Sequence, residues 1–413
     1  MSQWARIYFA NSRGLEELDN HTIHLAVTSP PYWNIKDYGL DRQIGYGQRL
    51  HEYLKDLYRV WTEVFRVLRA GRRLVINIGD QFARSIIYGR YKIIPLHSEF
   101  ISQCEGIGFD FMGSIIWQKK TTMNTTGGAN IMGSYPYPPN GMVEIDYEHI
   151  LIFKKPGKPE KIPREVKEQS ELTKEEWKKY FLGHWHFGGA RQIEHEAMFP
   201  EELPRRIIKM FSFVGETVLD PFLGSGTTVK AALDLNRNAV GYEINAGFEP
   251  VIRKKLNLEK PLLLAHPDVE FFHREESASK EPNVDYEPGI QDAAPKIDPK
   301  LLNFRKDHTY RVSKVADSCA LVLGTGLIVK FMGLKIPGEK KDDVLDYLRR
   351  FISGKEVFLK FDNEPVLDQR TVEAYVYLKN MIFINKYLLQ SGLAVVDRSR
   401  NFKMKSKFLK LGG

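Results

Sequence analysis

Apolar residues gather into short runs over the first 250 positions of the chain. Residues 23–29, 73–78 (RLVINI), 113–118 (GSIIWQ), 148–153 (EHILIF), 217–220 (TVLD) and 238–243 (NAVGYE) predict strands. Several lack alternation, as expected when both faces of a sheet are covered. Between them, LHEYLKDLYRVWTEVFRVLRAG (50–71) sets Tyr53, Leu54, Leu57, Val60, Trp61, Val64, Phe65 and Leu68 on one helical stripe and closes on Gly71, a helix stop. Strands alternating with helices predict a doubly wound α/β sheet of Rossmann-like type. Residues 121–144 (TTMNTTGGANIMGSYPYPPNGMVE) break the pattern, and an aperiodic loop of that length inside a compact domain is functional or mobile. LTKEEWKKYF (172–181) offers a capping box, Thr173 with Glu176, to a short charged helix. From 266 the text gathers acid and proline and reads as a linker, up to residue 307, between two domains.

Composition narrows the class of protein. A length of 413 residues with 43% hydrophobic and 27% charged positions fits two globular domains. Cys104 and Cys319 stand far apart with no C-x-x-C or Cys/His ladder, which argues against a disulfide framework or structural zinc and for an intracellular, cytoplasmic protein. No apolar run is long enough to span a bilayer, and the start lacks the apolar core of a signal peptide, so a membrane partner is not expected. The formal charge of +8 favours a polyanionic partner such as nucleic acid.

Two stretches carry candidate chemistry. TSPPYW (28–33) ends a predicted strand in a stiff turn with outward carbonyls, because proline cannot donate to a sheet ladder and restrains the residue before it. TVLDPFLGSGTTVKAALDLNRNAVGYEIN (217–245) holds a strand, the turn Gly224-Ser225-Gly226, a helix opening at Thr227 and a second strand ending in Glu243. Glycines admit close approach of a ligand, a helix start presents free N–H groups, and an acid about 20 residues on accepts from ribose hydroxyls, which together describe a nucleoside-binding βαβ unit. No lysine follows the second glycine, so a phosphate loop is excluded, and Asp220 would repel a pyrophosphate. An acid there suits a ligand with an amino group, as in the methionine part of S-adenosyl-L-methionine.

Together, TSPPYW (28–33) and DPFLGSGTT (220–228) resemble the β-class DNA amino-methyltransferases, in which the catalytic half precedes the cofactor half. HEAMFPEELPRRIIKMFSFVGETVLDPFLGSGTT (195–228) resembles the cofactor region over its whole length, and TSPPYWNIKDYG followed by QIGYGQ resembles the cytosine-N4 branch more than the adenine-N6 branch, which usually carries Asp at the position of Ser29. The resemblance covers residues 5–256. Asn11 departs from the Gly-Asp of many relatives.

The resemblance implies a methyltransferase domain over 1–265, with target recognition between 120 and 190. Its substrate is double-stranded DNA with a specific recognition sequence, and its further partner is a cognate restriction endonuclease. It implies that the Ser29 hydroxyl and Pro30 carbonyl hold the hydrogens of a flipped cytosine's amine, that Pro31 fixes the loop, and that Tyr32 stacks on the base, with Trp33 in the same pocket. Phe199, Phe222, Gly224, Ser225, Gly226 and Thr227 are the implied cofactor contacts, with Glu243 on the ribose and Asp220 near the amino group. The alternatives are the same reaction on adenine N6, and a DNA-binding regulator on a degenerate methyltransferase fold. His184, His186 and His195 lack partners spaced to complete a metal set, so no metal is expected. Asp80 either faces the pocket or caps the following loop.

Residues 308–413 resemble a staphylococcal-nuclease-like domain, a small β-barrel of OB type with helices. The positions of its metal-binding acids fall on Cys319 and Lys335, its first arginine falls on Lys330, and Glu339 and Arg370 sit one place out of register. A barrel without nuclease activity, holding DNA or a partner, is expected, with the tail NFKMKSKFLKLGG adding four lysines.

Overall fold

In this computed structural model the described residues are 3–34, 40, 42–83, 88, 92–119, 139, 141, 143, 145–189, 200–258, 267–274, 284–293, 309–362 and 371–411, apart from Ser318 and Thr325. The chain forms two compact units, one from residues 1–82 and 93–293, the other from 83–92 and 294–413.

The first unit is built on nine strands: β1 (Trp4–Phe9), β2 (Ile23–Thr28), β3 (Leu68–Ile78), β4 (Asp110–Lys119), β5 (Tyr147–Lys154), β6 (His184–Phe187), β7 (Thr217–Asp220), β8 (Asn238–Glu243) and β9 (Asp268–His273). They lie in the order β9-β1-β8-β7-β2-β3-β5-β4-β6. The sheet is mixed rather than wholly parallel, because β5 runs antiparallel to both β3 and β4. The remaining pairs are parallel. Leu25, Val27, Val75, Ile150 and Val218 are buried, which explains why these strands read as apolar runs without alternation.

Helix α1 (Leu50–Val67) buries the predicted stripe from Tyr53 to Val64, but it ends four residues before Gly71. Leu68 already belongs to β3, and Gly71 sits inside that strand at φ +76°, where a Cβ would meet Pro159 at 2.9 Å. The glycine therefore answers a close approach of two chain segments, not a helix end. The capping box is formed as predicted at α3 (Lys174–Tyr180): Thr173 Oγ1 accepts from Glu176 N at 3.1 Å.

Much of the stretch expected to link two domains is part of the first unit. Residues 268–273 form β9, an edge strand whose acids Asp268 and Glu270 pair with Arg6. Residues 284–293 strap across α1 and α2 (Leu96–Ile107): Glu99 accepts from Gly289 N at 3.0 Å and Ile290 N at 3.1 Å, and Tyr286 stacks on Tyr58 at 4.3 Å. The predicted recognition region also supplies two sheet strands, β5 and β6; most of the loop 121–144 lies outside the described residues. No helix among the described residues is long and apolar enough to cross a membrane.

The second unit closes a barrel from β10 (Tyr310–Val315), β11 (Leu321–Leu323), β12 (Ile328–Phe331), β14 (Glu356–Lys360) and β15 (Thr371–Leu378), in the order β10-β11-β12-β15-β14. A separate two-stranded pair joins β13 (Leu334–Lys335) to β16 (Val395–Val396). Val312, Leu321, Val329, Val357, Ala374 and Val376 fill the barrel interior.

Gly241 in β8 tests how tightly the strand underlies the turn that follows β7. A Cβ there would stand 2.5 Å from Leu223 Cδ2 and 3.1 Å from its Cγ, and Leu223 is itself buried. Gly241→Ala should destabilise the protein by about 1–3 kcal/mol in urea unfolding; an unchanged midpoint would show that Leu223 has room to move.

Candidate active site

The chain after β7 enters α5 (Thr227–Asp234) and returns to β8 on one side, while the chain after β2 enters α1 and goes to β3 on the other. Strand order thus reverses between β7 and β2, and a crevice opens at the carboxyl ends of such strands. A cavity of about 130 Å³ occupies that edge. Its walls come from the segments that follow β1 (Ala10, Asn11, Ser12), β2 (Ser29, Pro30, Pro31, Tyr32) and β7 (Pro221, Phe222, Gly224), and from Glu243 and Ile244 at the end of β8, with Gln43 and Ile44 from the loop that leads into α1.

Asp220 lies behind this wall, not in it. One carboxylate oxygen accepts from Thr28 Oγ1 at 2.7 Å and from Phe222 N at 3.0 Å, the other from Thr228 Oγ1 at 2.6 Å. Burial pushes its carboxyl up to about 6 against the pull of these donors. Glu243 does reach the cavity. It accepts from Gly224 N at 2.8 Å and Asn245 N at 2.9 Å, and burial raises it to about 7. Gly224 itself takes φ +55°, the left-handed region, which aims its N–H at Glu243.

Ser225 and Thr227 turn away from the cavity. Their hydroxyls accept from Lys255 Nζ at 2.5 and 2.8 Å, at the end of α6 (Glu249–Lys255). Burial lowers that lysine to about 8. Gly226, at φ +88°, passes close over Ile252, where a Cβ would stand 3.3 Å from Cγ2. These three positions hold the turn's shape from beneath. Phe199 lies outside the described residues, as does His195; His184 and His186 sit on the edge strand β6.

On the other wall, Tyr53 donates to the Pro31 carbonyl at 2.9 Å, whereas no group among the described residues donates to the Pro30 carbonyl. Trp33 is buried outside the cavity and donates to Gln48 O at 2.9 Å, so packing, not ligand contact, accounts for it. Tyr32 presents its ring to the cavity while its hydroxyl donates to Glu148 Oε1 at 2.6 Å and accepts from Gly79 N at 3.2 Å. Burial and the neighbouring Glu148 carboxylate hold that phenol well above its ordinary value. Asn77 donates to the other Glu148 oxygen at 2.6 Å, and Lys119 pairs with the same carboxylate. Sequence reasoning misses Glu148, Asn77, Lys119 and Lys255 as parts of the site, whereas Asn11, where the sequence departs from the Gly-Asp of many relatives, does line the cavity. Glu148 stands 116 residues from Tyr32, on a strand whose only sequence signal is its apolar run.

Asp80 proves to be a cap: it accepts from His97 N at 3.2 Å and from His97 Nδ1 at 2.8 Å at the start of α2, with His149 stacked on His97 at 4.0 Å. Among the described residues these three alone have the spacing of a candidate metal cluster, and they do not line the cavity.

The arrangement is one pocket that offers a proline-bounded hydroxyl and carbonyl facing a glycine turn and a buried carboxylate. Comparison with known proteins gives it a family. The model of the DNA methylase family, covering N6 and N4 methyltransferases, matches residues 23–254. The chain belongs to this family, whose members take their methyl group from S-adenosyl-L-methionine. It is 39% identical to the type II methyltransferase M.MjaI of Methanocaldococcus jannaschii over 299 residues, 65% of this chain and 96% of that protein. It is 35% identical to M.MthZI of Methanothermobacter thermautotrophicus over 280 residues, 61% of this chain and 76% of the relative. Among solved structures, a Thermus thermophilus protein described as a putative DNA modification methylase, in complex with S-adenosyl-L-methionine, is similar at TM-score 0.52 and 34% identity, over 66% of this chain and all of its own. The barrel lies outside the residues matched by the family model.

Two outcomes follow from the carboxylates. Glu243 has a folded value above its ordinary 4.5, so in the ligand-free protein its contribution to stability is complete below that pH and lost as pH rises through about 7. The melting temperature of Glu243→Gln, minus that of the unsubstituted protein, should therefore climb between pH 4.5 and about 7; a flat difference would refute the burial argument. Glu148→Ala strands Tyr32, Asn77 and Lys119 and should cost about 3–5 kcal/mol in denaturant unfolding, because a buried partner is removed; a loss well below that range would mean that water replaces it.

Proposed function

We propose that this protein transfers a methyl group from S-adenosyl-L-methionine to the N4 amine of a cytosine flipped out of double-stranded DNA. The observation that carries this reading is that residues 29–32, Pro221, Phe222, Gly224 and Glu243 wall a single cavity. A cytosine amine is a weak nucleophile because its lone pair is delocalised into the ring. Acceptors that hold its hydrogens favour a pyramidal nitrogen, and we assign that role to the Ser29 hydroxyl and the Pro30 carbonyl, with Pro31 held by Tyr53 so that the loop keeps its shape.

Tyr32 supplies a ring face for the base. Its plane is fixed by the Glu148 and Gly79 hydrogen bonds, which limits the entropy lost on stacking and offsets part of the few kcal/mol of unstacking. The nitrogen lone pair attacks the sulfonium methyl carbon, the carbon–sulfur bond breaks with its electrons going to sulfur, and the methylated amine releases a proton to water.

On the cofactor side, the residues present fit the donor. Glu243 is a buried acceptor suited to ribose hydroxyls, and Phe222 and Ile44 give the cavity apolar surface for an adenine. Gly224 admits close approach, and Asp220, Ser225, Gly226 and Thr227 hold the turn in place. Ser29, where the adenine-N6 branch of the resemblance carries Asp, supports cytosine over adenine. The type II methyltransferases among its relatives support a place as the modification partner of a restriction endonuclease.

Incubating the purified protein with mixed duplex DNA and labelled donor, then analysing nucleosides, should give N4-methyldeoxycytidine. N6-methyldeoxyadenosine would transfer the same mechanism to adenine, and no methylated nucleoside would overturn the reading. Ser29→Ala and Tyr32→Ala should each lower kcat by about 100-fold or more, the scale of a lost positioning donor or acceptor; the melting temperature should stay close to the parent in Ser29→Ala and fall in Tyr32→Ala, which removes a buried partner of Glu148.

A further inference from the structure

Residues 308–413 hold 19 lysines and arginines against 11 acids, which is the whole of the chain's excess of +8. The other 307 residues hold 41 of each. The positive excess is therefore carried by residues 308–413, which include the barrel, and not by the 307 residues before them.

Part of it is gathered at one groove. The β13–β16 pair and the tail enclose about 650 Å³ lined by Lys335, Val395, Arg398, Ser399 and Leu409, together with Asp397. Asp397 is occupied by Ser399 Oγ at 2.6 Å and Arg400 at 3.0 Å, so it does not neutralise the groove. Lys335 and Arg398 are exposed and have no acidic partner among the described residues.

The tail beside them is folded. Phe408 is fully buried, Phe402 packs against it at 5.6 Å, and α9 (Lys405–Leu409) runs along the barrel with Lys407 and Lys410 outward. Lys405 Nζ closes the adjoining turn by donating to the Arg400 carbonyl at 2.8 Å. These lysines stand on an ordered ridge, so a ligand that meets them does not first have to order a loose segment. Val395 and Leu409, both exposed, give the groove apolar surface between the charges.

We propose that this groove binds the phosphodiester backbone of duplex DNA without regard to sequence, through Lys335, Arg398, Lys407 and Lys410, with Ser399 as a neutral donor to a phosphate oxygen. Charge complementarity selects a polyanion, and the groove's hydroxyl and apolar surface suit phosphate and sugar, not base edges. The proposal rests on the DNA methylase reading only for the choice of DNA as that polyanion.

The test uses the full chain and a duplex of arbitrary sequence, about 30 base pairs long, with binding followed by fluorescence anisotropy from about 50 to 200 mM salt. Changing Lys335, Arg398, Lys407 and Lys410 together to Gln should weaken binding by about 10-fold or more at the low-salt end. It should also flatten the slope of log affinity against log salt by about 2 or more, since each phosphate contact contributes roughly 0.9. Lys314→Gln with Lys355→Gln removes two exposed charges of the barrel that do not line the groove, and should leave both quantities nearly unchanged. Melting curves establish that the quadruple variant is folded, and a version with arginine at all four positions should retain affinity.

Unchanged affinity and slope in a folded quadruple variant would overturn the proposal. So would a loss confined to RNA of the same length, or equal losses from the Lys314 and Lys355 pair. Methyl transfer by the unsubstituted protein, measured in parallel, separates the two readings: its absence would count against the methylase, and an altered salt slope would still speak for the groove.

Discussion

The Asp220 carboxylate is the constraint on which the candidate site depends. It sits at the end of β7, beside the end of β2, and its oxygens hold Thr28 of one strand, Thr228 of the helix that follows the other, and the backbone of Phe222. Burying a carboxylate is unfavourable, as its upward shift to about 6 records, and three donors offset that cost. What results is a rigid junction. Ser29 is one residue beyond Thr28 and Phe222 two beyond Asp220, so the loop after β2 and the glycine turn after β7 inherit their separation from the sheet instead of from flexible side chains. A transfer reaction that relies on alignment needs that kind of reference frame, because an error of an ångström in attack geometry costs orders of magnitude in rate.

A second layer acts through the same logic. Glu148 fixes the Tyr32 hydroxyl, Tyr53 fixes the Pro31 carbonyl, and Lys255 fixes the hydroxyls of Ser225 and Thr227. Besides their part in stability, each of these supports restrains a group on or beside the cavity wall. The Pro30 carbonyl, to which no group among the described residues donates, is one of the acceptors that the proposed chemistry uses.

The parts of this arrangement legible in the sequence are those whose signal is local. A proline pair ending a strand, a glycine turn and an acid one strand later are contiguous patterns, and the structure brings all of them to one edge of the sheet. Interactions between distant residues are not legible: Glu148 meets Tyr32 only because β5 lies beside β3, and Lys255 meets Ser225 only because α6 folds under the turn. Asp220 reads as a ligand group because an acid at a strand end looks the same in either role until its donors are visible. Gly71 misleads for a related reason. A glycine after an amphipathic run signals a helix end, and here the constraint is Pro159 from 88 residues further along. β9 reads as linker because edge strands carry charge, and its acids, which suggest disorder, are spent on Arg6.

The division of charge bears on how such an enzyme meets its substrate. Residues 1–307, with equal numbers of acids and bases, have little long-range attraction for DNA, and flipping a base would draw further on whatever binding energy is available. Placing the surplus of positive charge on a separate barrel lets non-specific affinity and base-level chemistry be adjusted independently. Under the proposed readings, contacts to phosphate would raise the local concentration of sites without rewarding any particular sequence, whereas the cavity would reward only the base that enters it. If the same lysines lined the cavity, every phosphate would compete with the flipped base for the one place where the sulfonium and the amine must meet. A cationic centre beside a positively charged donor would also oppose its binding, and the carboxylate at Glu243 has the opposite effect.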